Sequence, residues 1–426
     1  DARHDRKHVG CVFAAGEAAC PQFVLQDNRA LLADIDIVQI ATQARDAFGY
    51  LAPIVILEPG RCIAADLFEE CIDEFLLCDE RGLNVVAIEH HGGINSMLAA
   101  NPMLVSILAR QTKKARILSL GTLITLRPDP VRIAEEYVTA DVISRGRLEL
   151  GFVKSGGSEM ASNNMSAVDN GERYWEAIDL ISKTWTSHDG PFSWEGRHFT
   201  HRHVNIWPRP YQDIPRMWSA TGDPSTSADV GRRGMVHTLV LRGPQGTKAS
   251  YAANRKARAE AGLPPSTTDL FSYAALVGVG ETEEEGLRIG EKLLWFLNTS
   301  MKSAPQFGKF LPGGAPPEAA PMIYRSRRAP DTPTPAGMKP SIGGALIGTT
   351  PHQAKAQGIL FAGTPDSVYK QIMDFYNFVG GFGHLVMIGR SGPMTHAETE
   401  KSINLFSREV LPRLKAIAPV QAGFNQ

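Results

Sequence analysis

The chain has 426 residues, 43% of them hydrophobic and 21% charged, which is ordinary globular composition with material for a large core. Its net charge of −1 provides no global field for nucleic acid or an anionic membrane. The five cysteines, at 11, 20, 62, 71 and 78, form no CxxC pair and no zinc spacing; they read as small buried residues in a reducing compartment.

In chain order, residues 1–50 show weak periodicity and read as an unplaced N-terminal extension. The stretch 51–426 reads as a single domain. PIVILEP (53–59) is a short β-branched run. The segment from Ala64 to Gly82 has helical apolar spacing, and Gly82 stops it. VVAIE (85–89) is a strand. A helix begins at Asn101-Pro102, which suits N-cap and N1. ARILSLGTLITL (115–126) is a long apolar strand, followed by a helix from Pro130 to Gly146. RLELGFV (147–153) is the fourth strand.

An excursion from Lys154 to about Tyr211 carries an amphipathic helix and a hairpin-like PFSWEGRHFTHRHVNIWP. RMWSA (216–220), MVHTLVL (235–241), LFSYAALVGV (270–279) and HLVMIG (384–389) complete eight strands. A Pro/Gly-rich insert, about 304–352, separates the last two. It reads equally as linker or as a lid, with Phe307, Phe310, Met322 and Tyr324 as lid anchors. Near-continuous apolar strands alternating with helices predict a TIM (β/α)8 barrel with long insertions after strands 4 and 7.

Strand C-terminal ends face the active site of such a barrel. Glu89, His90 and His91 end the second strand there. Imidazole suits proton transfer near neutrality, although a locally hydrogen-bonded strand-end histidine weighs about the same. Gly121-Thr122 and the apolar residues after them are core, or else a flat wall for a ring system. Lys154 with Ser155-Gly156-Gly157 reads as an anion site or as a solvated lysine. Asp223, Ser225, Thr226 and Ser227 precede a helix and suit a phosphate or plain capping. There is no GxGxxG after the first strand, no Walker motif, no HExxH and no GxSxG.

GLNVVAIEHHGG, the run from NPMLVS through PVRIAEE and SRGRLELG to VKSG, WEGRHF with VNIWPRPYQ, SADVGRRG, and GTPDSVYKQIMDF with INLFSREVLP resemble the bacterial-luciferase-like family of flavin-dependent oxidoreductases. The resemblance covers most of 53–300 and 358–415. It implies a TIM barrel with FMN at its mouth, His90 as the catalytic histidine, and a non-prolyl cis peptide at Leu123-Ile124 against the flavin ring. Lys154 replaces a phosphate-binding arginine and so lacks the bidentate fork. Gly222, Asp223 and Thr226 match the phosphate loop. No metal is implied.

The expected function is a cytoplasmic, two-component flavin monooxygenase. A separate reductase supplies reduced FMN, and dioxygen forms a 4a-peroxyflavin that oxygenates a small, largely apolar organic substrate. A homodimer is expected, with no nucleic-acid or membrane partner. The alternatives are a deazaflavin-dependent hydride-transfer oxidoreductase and a non-catalytic flavin-binding barrel.

Overall fold

The structure is a computed structural model and describes residues 63–91, 98–155, 159–160, 163–166, 169–221, 224–303 and 348–417. The expected first strand at 53–59, the extension 1–50, most of the Pro/Gly-rich insert, and Gly222 and Asp223 lie outside these residues. All the described residues belong to one compact unit.

Ten strands are present among them. β1 (Val85–Ala87), β2 (Ile117–Leu123), β3 (Leu148–Val153), β6 (Met217–Ala220), β7 (Val236–Val240), β8 (Phe271–Val279) and β10 (His384–Ile388) pair in parallel in that order. β9 (Leu360–Gly363) pairs with the upper half of β8. β4 (Phe192–Glu195) and β5 (Thr200–Val204) form the antiparallel hairpin read in the excursion. The parallel strands and their connecting helices make an α/β barrel of the TIM type. β9 was missed because four residues, LFAG, sit beside a Pro/Gly-rich stretch.

The helices are α1 (Ile63–Glu80), α2 (Asn101–Gln111), α3 (Pro130–Ser144), α4 (Asn170–Thr186), α5 (Pro224–Arg232), α6 (Pro244–Glu260), α7 (Glu283–Ser303), α8 (Pro351–Ala356), α9 (Pro365–Val379), α10 (His396–Leu405) and α11 (Leu411–Lys415), with a π turn at Phe406–Val410. α3 starts where Asp129 accepts the N–H groups of Val131 and Arg132 at 2.9 and 3.1 Å. Such a cap contributes about 1 kcal/mol. Asn101 is not the cap of α2; Ala100 holds that place, and the Asn101 side chain turns away to donate to Ala87 O at 3.2 Å.

Alternation sorts each strand into two faces. Leu118, Leu120, Trp218 and Val236 cluster with Val86, Ala220 and Val386 in the lumen. Between them, Ser119 and Thr122 turn outward to the hydroxyl of Tyr137 on α3. The N-terminal end of the lumen is closed by Glu149, which accepts from Arg116 and, at 2.6 Å, from Trp218 Nε1. Cys71 and Cys78 on α1 are free thiols, pushed up by burial to about 11 and about 12, as expected of inert packing residues.

Candidate active site

Two residues past the end of β1 stands Glu89. Its side chain is buried, 2% exposed, and both oxygens are engaged. Oε2 accepts from Arg127 Nη2 and Oε1 meets His91 Nε2, each at 3.0 Å. Arg127 also binds Glu136 of α3 at 3.0 Å. Burial opposes the Arg127 charge, but Glu89 and Glu136 more than offset it and hold its pKa above the ordinary value. A strand end can therefore bury a carboxylate because a guanidinium from the next strand's loop neutralises it.

His90 points elsewhere. Its Nδ1 lies 3.1 Å from Glu159 Oε1, and the same oxygen accepts the backbone N–H of His91 at 3.1 Å. An ionised carboxylate only accepts, so Nδ1 carries the hydrogen toward Glu159, which leaves Nε2 as the ring atom that can take up a proton. The His90 side chain is 37% exposed, at the end of a barrel strand where ligands enter.

Lys154 follows the last residue of β3, and Thr226 lies in the first turn of α5, which follows β6. β3 and β6 are neighbours in the sheet. Lys154 Nζ accordingly stands 3.5 Å from Thr226 Oγ1, and over the rings of Tyr174 and Trp175 at 5.4 and 5.9 Å. The structure thus brings together two groups 72 residues apart that the sequence had assigned separately to anion binding. Ser155, 5% exposed, fixes this strand end by bonding Thr125 Oγ1 at 2.8 Å.

The non-prolyl cis peptide is found at Leu120–Gly121, not at Leu123-Ile124. The β2–β3 register slips between Ser119 and Thr122, at the same place. Only glycine fits there: a Cβ on Gly151 would lie 2.5 Å from Ser119 O, and one on Gly121 would lie 2.8 Å from Val153 Cγ1. The family's sequence register had been displaced by three residues along a run of similar apolar side chains. Leu123 packs with Leu126, Met160, Val153 and Met165 beyond the end of the strand, while Ile124 joins the helix-side core with Ile133 and Tyr137.

Sequence reading missed Glu159 and Arg127. Arg127 carried a signal, a lone cation just after a strand. Glu159 carried none, because its partner is 69 residues away.

A family model described as luciferase-like monooxygenase matches residues 48–380. The chain belongs to the luciferase-like monooxygenase family. It is an enzyme of that class. The oxygenase component of the flavin-dependent trigonelline monooxygenase of Acinetobacter baylyi is 30% identical over 165 residues, 38% of this chain and 45% of that protein's own length. Limonene 1,2-monooxygenase of Rhodococcus erythropolis is 23% identical over 347 residues, 79% of each chain. An F420-dependent glucose-6-phosphate dehydrogenase of Amycolatopsis mediterranei is 28% identical over 193 residues, 42% of this chain and 56% of its own.

Solved structures of other proteins share the fold. Monooxygenase RslO1 of Streptomyces bottropensis superposes with a TM-score of 0.64 at 22% identity, covering 85% of this chain and 97% of that one. The oxygenating constituent of 3,6-diketocamphane monooxygenase of Pseudomonas putida, solved with FMN, gives 0.65 at 18% identity, covering 85% and 96%. Among the described residues of the luciferase-like chain, no helix is long and apolar enough to cross a membrane.

Proposed function

We propose that this luciferase-like monooxygenase is the oxygenase component of a two-component system. It takes reduced FMN from a separate reductase and uses dioxygen to oxygenate a small, largely apolar organic substrate. The observation that carries the reading is the meeting of Lys154 and Thr226 beside the first turn of α5, at the same barrel end as His90.

The residues present fit FMN. Lys154, Thr226 and the N–H groups opening α5 would hold the phosphate, with Gly222 and Asp223 as proposed members outside the described residues. Gly121 and Gly151 let β2 and β3 approach closely, and with Leu123 they would form a flat wall for the ring. Ile124 would contribute backbone only. When bound, reduced FMN supplies two electrons to dioxygen, so that one oxygen atom enters the substrate and the other leaves as water.

The chain's own part is to bind, shield and move a proton. Glu159 fixes the His90 ring through Nδ1, so Nε2 accepts or returns the proton that the oxygen transfer requires. Leu118, Leu120, Val86 and Val386 line an apolar lumen that suits an apolar substrate and keeps water from the reacting atoms. Exposed Met103 and Ile107 on α2, with Val142 and Ile143 on α3, support a homodimer, which size-exclusion chromatography with light scattering tests. A cytoplasmic location belongs to the same proposal.

The relative that uses F420 favours a second reading, hydride transfer with a deazaflavin. The deciding experiment is anaerobic titration with reduced FMN, then admission of ¹⁸O₂ with a generic reductase and a panel of ketones and terpenes. Tight binding and labelled product are expected. Absence of FMN binding, or a product free of label with F420 required instead, would overturn the reading.

A further inference from the structure

β7 ends at Val240, and the next three residues leave the sheet abruptly. Leu241 takes a left-handed backbone, φ 51°, rare for a leucine, and Gly243 follows with φ 75°. Between them stands Arg242, half-buried at the C-terminal end of a barrel strand. Its Nε is buried and meets no acceptor, and no carboxylate pairs with it among the described residues. The half-buried Arg127 and Arg390, by contrast, each bind two carboxylates.

Arg242 is also placed against a second positive feature. A Cβ on Gly246 would lie 2.8 Å from Arg242 Nε, so the side chain lies across the first turn of α6. That turn holds no acidic residue, and its N-cap, Gly243, offers no side-chain cap. The helix thus presents uncapped N–H groups and the positive end of its dipole to a guanidinium. Two like-signed partial charges are held together, with one donor already desolvated. An anion supplied from outside relieves both costs at once.

The position decides what kind of anion. β7 pairs with β6, whose end leads into the Thr226 helix, so Arg242 stands one strand along the rim from the proposed cofactor phosphate site. We propose that Arg242 and the first turn of α6 form an oxyanion subsite for the substrate, an organic molecule carrying a carboxylate or phosphate at one end and an apolar body toward the lumen. The proposal rests on the monooxygenase reading for the word substrate, but the anion site itself does not.

The test is calorimetric titration of the full chain with benzoate and, separately, with phenyl phosphate, beside titration with FMN. The wild type should bind at least one of the two probes, and the tighter one names the oxyanion. Arg242→Ala should weaken that probe about tenfold or more, the loss of a charge-assisted bond, and Arg242→Lys should fall between. Gly246→Ala, which displaces the guanidinium without removing it, should weaken the probe as well. FMN affinity should stay at the wild-type level in all three.

The proposal is overturned if the wild type binds neither probe, or if Arg242→Ala, melting at the wild-type temperature, binds them undiminished. It is equally overturned if Arg242→Ala loses FMN, because the cofactor phosphate then occupies the site. A wild type that binds a probe through Arg242 but never binds FMN keeps the anion site and removes the monooxygenase reading instead.

Discussion

Glu159 grips His90 at the mouth of the barrel: one carboxylate oxygen lies 3.1 Å from the imidazole Nδ1 and also takes the N–H of His91. The ring and the backbone behind it are thus held by a single atom. A group fixed in this way loses little freedom when it transfers a proton.

Replacement of His90 by alanine should therefore leave FMN affinity within about twofold while product formation falls by about 10²-fold or more, the usual worth of a positioned acid or base. Glu159→Gln should lower kcat by about tenfold with KM nearly unchanged, since it keeps the shape and weakens only the orienting bond. Steady-state assays with saturating reduced FMN check both. Wild-type turnover in the His90 variant would remove it from the mechanism.

Lys154→Ala should raise the FMN Kd by about 10- to 100-fold, the loss of a charge-assisted phosphate contact. Lys154→Arg should bind at least as tightly as the wild type, because the guanidinium adds a fork that the ammonium lacks. Fluorescence quenching titrations measure both. Equal affinity in the alanine variant would move the phosphate elsewhere.

The Glu89–Arg127 pair is structural rather than catalytic in this reading. Arg127→Met strands a carboxylate that is 2% exposed, with His91 as its remaining partner among the described residues. A destabilisation of about 3 kcal/mol is expected, toward the low end for broken buried pairs because the arginine remains partly solvated. Urea denaturation measures it. A double variant that also replaces Glu89 by Gln should recover part of the loss.

Asp79 makes a prediction about acid. Burial alone would raise its pKa, but the N–H groups of Lys113, Ala115 and Lys114, with Arg147 nearby, outweigh burial and hold it below the ordinary aspartate value. A depressed folded-state pKa stabilises the fold above the unfolded value of about 3.9, and that contribution fades as pH falls through the folded-state pKa. The stability gap between the wild type and Asp79→Asn should therefore be constant above about pH 5 and shrink below it. A gap that persists unchanged to about pH 2 would show that another group governs it.

Local chemistry made much of the barrel legible. β-branched and apolar runs such as ILSLGTL can only be strands buried on both faces, and Asp129-Pro130 can only open a helix. The same logic placed His90, Lys154 and Thr226 at strand or helix ends. It failed for LFAG, where four residues carry too little periodicity, and for Asn101, whose side chain found a better partner in Ala87 O.

What the amino-acid order determined alone was the set of elements and the ends at which polar groups must sit, because both follow from spacing along one segment. Only the tertiary structure decided who meets whom. Lys154 reaches Thr226 because β3 lies beside β6, Glu159 reaches His90 from 69 residues further along the chain, and the cis peptide falls at Leu120–Gly121 where two glycine backbones touch. Such contacts depend on how closely separate segments approach, and spacing along a single chain carries no record of that distance.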